Sequence, residues 1–405
     1  MAKKDLGETD LRPDTLLSHL GRDPARFGGA VNTPVFRCST VLTEGMEQFE
    51  SGRERRFEKG EFVYGRLGTP TSFSLEEALA GIERGYGTVL TSSGLAAIAC
   101  ALLAFAEADG HILVTDSAYE PTRRFCDGLL ARLGIETEYY DPLIGAGIAE
   151  RLRPETKAVF CESPGSLTFE VQDLPAIAAA AKAAGVPVLI DNTWATPLYL
   201  KPFELGLDVS IQAATKYVVG HSDAMLGSIT VAEEALYWQV RKTVYALGNA
   251  AGPDDAYLGL RGLRTLSVRL QRHQENGLKL ARWFQARPEV RQVLHPALPD
   301  CPGHDLWRRD FTGASGLFSI VLAEDYPRAA LAAMVDGLEL FGIGASWGGY
   351  ESLVIPGHPE RTRTATAWQA PGPLLRFHIG LEDPDDLIAD LEAGFARLAR
   401  RAAAE

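Results

Sequence analysis

A chain of 405 residues with 46% hydrophobic and 23% charged side chains can bury a large core and has the proportions of a soluble globular protein. Its net charge of −13 argues against a nucleic-acid partner, because phosphate backbones are bound by an excess of lysine and arginine. The basic tip of "MAKKDLGETD" is followed by no apolar stretch, and no run is apolar and long enough to span a bilayer. No signal peptide and no membrane partner are expected, and the expected setting is the cytoplasm.

Residues 1–68 read as an irregular arm, since "GGAVNTPVF" and "SGRERRFEKGEFVYGRLGTP" hold no sustained period. "TSFSLEEALAGIERGYG" then predicts a helix with a serine cap, early glutamates and a glycine stop. "TVLTSSG" predicts a strand and turn, "LAAIACALLAFAEA" a helix, "HILVTD" a strand and "EPTRRFCDGLLARLG" a helix. "ETEYY", "KAVFCES", "VPVLIDN" and "DVSIQAA" follow as strands, with the helix "LPAIAAAAKAAG" among them. Apolar strands alternating with helices predict an α/β unit over 69–264, with a mainly parallel sheet covered on both faces. Beyond it, "TLSVRLQRHQENGLKLARWFQARP" predicts a long helix, and "GLFSIVLAED" and "LLRFHIGLED" predict strands. "DPDDLIADLEAGFARLARRAA" predicts a closing helix with an acidic start and a basic end, which suits the helix dipole. Residues 265–405 therefore read as a smaller α+β domain.

Five scattered cysteines (Cys38, Cys100, Cys126, Cys161, Cys301) form no C-x-x-C pair, and the eight histidines show no ligand spacing. Free thiols and no metal site are expected. In open α/β sheets the chemistry sits beyond the carboxyl ends of the strands, and four such ends are suggestive. Ser92, Ser93 and Gly94 turn into a helix, where free N–H groups bind an anion or a serine merely caps. Tyr119 follows its strand and either lies over a planar ligand or packs the next helix. Asp191 ends a fully apolar strand and either meets a cation or caps a turn. Lys216 ends another, as a surface residue or as an amine whose desolvation lowers its pKa and frees the nucleophile. Together, an anion-binding turn, an aromatic cover, a buried carboxylate and a lysine make the parts of a pyridoxal phosphate site.

From about Pro34 to the last helix the chain resembles the Cys/Met-metabolism family of pyridoxal-phosphate enzymes. The segments that carry the likeness are "YGRLGTPT", "SAYEPT", "ESPGS", "IDNTWATP", "DVSIQAATKYVVGHSDAM", "RGLRTL", "HPALP", "RDFTGASGLFS", "SWGGYESL" and "RFHIGLEDPDDLIADL". The resemblance implies the aspartate-aminotransferase-like fold (fold type I) and a cofactor carried on Lys216 as a Schiff base. It implies catalytic roles for Lys216 and Tyr119, with Asp191 on the pyridine nitrogen and Tyr119 stacked on the ring. Gly94 and Leu95 would supply N–H groups to the phosphate, and Thr215 a hydroxyl. Tyr64 and Arg66 would reach a neighbouring subunit's cofactor, which implies a homotetramer built from dimers with shared sites. Arg376 would clamp the substrate carboxylate, a task for a planar fork, beside Ser346 and Trp347.

The implied reaction is β-elimination of L-cystathionine to homocysteine, pyruvate and ammonia. Relatives that act at the γ carbon read Ser-Leu-Gly-Gly in the "SWGG" loop after a glutamate, and carry a later Thr-His-Ala segment. Trp347, Ala345 and "ERTRTATAWQA" depart from that pattern and favour β-lyase chemistry. The alternatives are a cystathionine or methionine γ-lyase and, more distantly, a non-catalytic pyridoxal-phosphate-binding regulator. Ala213 stands where many relatives have a phosphate-binding serine, and Ala345 where close β-lyases have tyrosine. The second change opens the distal pocket, gives Tyr245 more of the positioning, and predicts turnover of other cysteine S-conjugates.

Overall fold

The computed structural model describes residues 11–403. Seven strands form the first sheet: β1 (Gly87–Thr91), β2 (His111–Thr115), β3 (Glu136–Tyr140), β4 (Thr156–Glu162), β5 (Val188–Asp191), β6 (Val209–Gln212) and β7 (Gly227–Val231). Their order is β1-β7-β6-β5-β4-β2-β3. β7 is antiparallel to both neighbours, so the other six strands run in one direction. That direction places the ends of β1, β2, β4, β5 and β6 along one edge. β1 and β2 are buried at every residue, as strands with helices on both faces must be.

The second sheet comprises β8 (Val290–Leu294), β9 (Leu317–Leu322), β10 (Gly342–Ile343), β11 (Leu353–Gly357) and β12 (Leu374–His378), in the order β10-β11-β12-β9-β8. Only the β10–β11 pair is parallel. The helices Leu266–Gln285 and Pro384–Ala402 cover it, with Leu280, Phe284, Leu391 and Phe395 packed against Phe318 and Phe377. Trp194, just beyond β5, donates its indole N–H to Leu317 O at 2.9 Å and ties the two sheets together.

Several expectations need correction. The helix expected to begin at a serine spans Pro70–Glu83 and is capped by Thr69. Thr69 and Ser72 exchange hydrogen bonds in a capping box, and Pro70 fits the first turn, where its missing N–H costs nothing. The stop is Arg84 in a left-handed conformation (φ 58°), one residue before the expected glycine. The predicted 120–134 helix changes to π winding at Cys126–Leu130. The arm is not wholly irregular: Pro13–His19 and Met46–Arg55 are helices. The first buries Leu16 and Leu17 against Leu75 and Leu79 but is too short to show a period, and the second buries only Gly52. Residues 1–10 of the arm, which include most of the leader reading, lie outside the described residues. All five thiols are free; Cys38 is exposed and the other four are buried. No helix among the described residues is long and apolar enough to cross a membrane.

Candidate active site

β5 and β6 are parallel neighbours with Asp191 opposite Ile211, so the turn after β6 emerges beside the Asp191 carboxylate. A hydrogen-bond chain fixes the two ends. Ala213 N–H donates to Thr193 Oγ at 2.8 Å, and the Thr193 hydroxyl and N–H both donate to Asp191 Oδ1. Lys216 follows, half-buried. Burial, with Arg376 nearby, pushes its pKa down to about 8, while Asp191 pulls the other way. Its Nζ donates to Ser346 Oγ at 2.6 Å and lies 5.4 Å from the Trp347 ring centre.

β4 brings a second carboxylate to the same edge, because Glu162 pairs in register with Asp191. Burial raises both pKa values, and the Asp191 charge raises that of Glu162 further. Two donations from Thr193 and the charge of Lys216 pull Asp191 back, whereas Glu162 has only the Tyr119 N–H, at 2.7 Å. Asp191 is therefore the better stabilised of the two as a carboxylate. Tyr119, 40% exposed, caps the helix Glu120–Phe125, and burial together with Glu162 and Asp191 keeps its phenol protonated.

The helix Gly94–Phe105 begins directly against the lysine turn. A methyl group on Gly94 would lie 2.4 Å from Ala213 Cβ, so only glycine permits this approach. Ser93 caps Ala96 N at 3.1 Å, and the N–H groups of Gly94 and Leu95 have no acceptor within the helix. Leu95 is 39% exposed. The structure thus brings together an amine, a buried carboxylate, an aromatic face and a helix start. Pyridoxal phosphate needs those four groups for its aldehyde, ring nitrogen, ring face and phosphate, so the site fits that cofactor.

From the second sheet, Arg376 on β12 donates to Ser346 O at 3.4 Å. Its burial pushes its pKa down to about 10, and the guanidinium remains charged. Read from sequence alone it would be an edge-strand charge, yet β12 is central, flanked by β11 and β9. Thr215 is less available than expected, since its hydroxyl donates to Leu226 O at 3.1 Å and accepts from Leu226 N. Tyr64, Arg66 and Tyr245 gather elsewhere: Arg66 donates to Tyr245 O at 3.1 Å and stacks 4.6 Å from its ring centre, and Tyr64 is 42% exposed. Sequence reading gave no role to Glu162, Thr193 or His378. Glu162 was open to the strand-end rule that found Asp191; the other two act through backbone contacts that no spacing reveals.

This fold and site define a pyridoxal-phosphate enzyme of fold type I. The chain belongs to the Cys/Met metabolism PLP-dependent enzymes, whose family model matches residues 14–396. It is 48% identical to cystathionine beta-lyase MetC of Escherichia coli over 96% of this chain and 99% of that one. It is likewise 48% identical to the cystathionine beta-lyase of Salmonella typhimurium, over 96% of this chain and 100% of that one. A solved cystathionine gamma synthase from Xanthomonas oryzae pv. oryzae superposes with a TM-score of 0.87 at 33% identity, covering 97% of this chain and all of that one.

Proposed function

We propose that this chain is a pyridoxal-phosphate-dependent carbon–sulfur lyase that cleaves L-cystathionine by β-elimination, giving homocysteine, pyruvate and ammonia. The observation that carries the reading is 48% identity, end to end, with two cystathionine β-lyases, against 33% for a γ-synthase. Lys216 would carry the cofactor, Asp191 would pair with its ring nitrogen, Tyr119 would cover the ring, and Gly94 and Leu95 would bind its phosphate. When bound, the cofactor withdraws electrons from the substrate α carbon and so acidifies the proton there.

The side chains supply the rest. Arg376 offers its fork to the substrate α-carboxylate, with Ser346 beside it. The Lys216 amine, once free, is a base matched to neutral pH, because burial has already lowered its proton affinity. Ser346 Oγ, 2.6 Å away, accepts from that amine and aims it. Lys216 takes the α proton, and the β-carbon–sulfur bond breaks with its electron pair on sulfur. Trp347, half-buried beside Lys216, walls the site from solvent.

The same reading makes the 69–264 region the cofactor-binding domain, the 265–405 region its α+β companion, and the working unit a cytoplasmic homotetramer. Tyr64 and Arg66 would then complete a neighbour's site. Leu42, Met46 and Phe49 of the arm, exposed by 89%, 78% and 55%, support a subunit contact there. Ala345, exposed and adjacent to Ser346, would leave room there for other S-substituted cysteines. Thiol release from L-cystathionine and from a panel of S-alkyl cysteines tests this: homocysteine should form fastest, with measurable turnover across the panel. No thiol from any member contradicts the lyase assignment, and activity confined to cystathionine contradicts the broad pocket.

A further inference from the structure

Arg376 and His378 are two residues apart on β12, so both side chains leave the same face of the sheet. Arg376 has a part in the proposed reaction, and His378 so far has none. His378 is 1% exposed, and its Nε2 lies 3.1 Å from both Gly348 N–H and Gly349 O. One of these groups can only donate and the other can only accept, so in either tautomer Nε2 bonds the backbone of the Gly348–Gly349 turn. The neighbouring His273 is completely buried, and its Nδ1 lies 2.8 Å from Ile379 O, which fixes its proton there and leaves Nε2 as an acceptor. His378 Nδ1 and His273 Nε2 are buried without hydrogen-bond partners, on rings whose centres are 5.2 Å apart. Burial pushes the His273 pKa down to about 4 and that of His378 well below its usual range, so neither ring charges near neutral pH.

The turn that His378 holds is pressed onto Lys216. Gly348 has φ +86°, and a methyl group there would lie 3.0 Å from the Lys216 Cα and Cβ. Tyr217, next to the lysine, packs its ring 5.5 Å from Trp347 and 6.1 Å from His378. We propose that His378 is a positioning residue: by gripping the Gly348–Gly349 backbone it holds Ser346 and Trp347 against Lys216. Arg376 grips the same turn one peptide earlier, so β12 clamps it at two points. The inference rests on the reading of Lys216, Ser346 and Arg376 as the active site.

The test is hydrogen–deuterium exchange of holoenzyme peptides spanning 345–351, with steady-state kinetics per cofactor-loaded site. It compares wild type with His378→Gln, which can place an amide oxygen where Nε2 sits, and with His378→Asn, which is too short. Loss of this one bond in His378→Asn should speed exchange of the turn by about tenfold, with kcat/KM falling by a similar factor. The Gln variant should restore both to within about threefold of wild type. His378→Leu, which fills the space without polar atoms, replaces the Asn variant if that one fails to fold, with the same expectation. Wild-type protection of the turn in the Asn or Leu variant, or an opened turn with unchanged kcat/KM, overturns the proposal. Exchange is read without substrate, so failure of the lyase assignment would show separately, as a wild-type enzyme that turns over no sulfur amino acid.

Discussion

The two sheets treat their polar groups in opposite ways. In the first, the strands nearest the site are largely apolar and the ionisable groups proposed for the chemistry stand at or just beyond their ends, where Glu162, Asp191 and Lys216 share one edge. In the second, Arg376 and His378 lie within a central strand, buried and directed at the backbone of one turn. Strand ends keep charged groups accessible for chemistry. A strand interior gives a fixed platform, and the long side chains on it place a flexible, glycine-rich turn. On the proposed reading, chemistry comes from one sheet and substrate orientation from the other.

The sharpest way to break this division is Lys216→Ala. It should remove the bound cofactor's visible absorption and lower turnover by about 10⁴-fold, the scale of losing a nucleophile and base together. Retained turnover would mean that another group does the chemistry. Arg376→Leu should raise KM by about 10- to 100-fold through loss of charge-assisted hydrogen bonds, while the cofactor spectrum persists. A spectrum lost together with binding would place Arg376 in the cofactor site instead.

Asp116 sharpens the comparison from the other side, because it is a strand-end carboxylate already committed to structure. It is completely buried, paired with Arg123 at 2.9 Å, and accepts from Thr364 N and Thr366 N at 2.9 and 2.8 Å. Asp116→Ala strands a buried guanidinium and should cost about 3–5 kcal/mol in denaturant unfolding. A loss below about 1 kcal/mol would show that water reaches Arg123.

The depressed Lys216 pKa has a definite sign. Only the neutral amine attacks an aldehyde, and burial disfavours the charged form, so cofactor loading of the apoprotein should quicken as pH rises. The midpoint should fall near 8, and a midpoint near 10.5, the ordinary lysine value, would show an exposed amine. The smallest effect expected is that of Ala213→Ser. Ala213 Cβ faces the start of the helix at Gly94, so an added hydroxyl should tighten cofactor binding by a few-fold, about one neutral hydrogen bond. Weaker binding would mean that the serine crowds Gly94.

Much of the first sheet was legible, because unbroken apolar runs separated by helices leave few arrangements open, and strand ends then mark the site. β7 escaped notice because "GSITV" is short and its reversal is set by pairing with β1 and β6. The cap at Thr69 was missed because Pro70 moved the helix start ahead of the apolar period. Family likeness named Arg376, but nothing local in "LLRFHIG" shows that its strand is central. Thr193 and His378 were beyond reach, since each works by bonding to backbone far along the chain, at Ala213 and Gly348.

The most direct test of the account is the carbon skeleton released from L-cystathionine by purified, cofactor-loaded protein. Pyruvate alongside homocysteine is the predicted result, with the bond broken at the β carbon. 2-Oxobutyrate alongside cysteine would contradict it, moving the cleavage to the γ carbon and removing Trp347 and Ala345 as marks of a β-lyase.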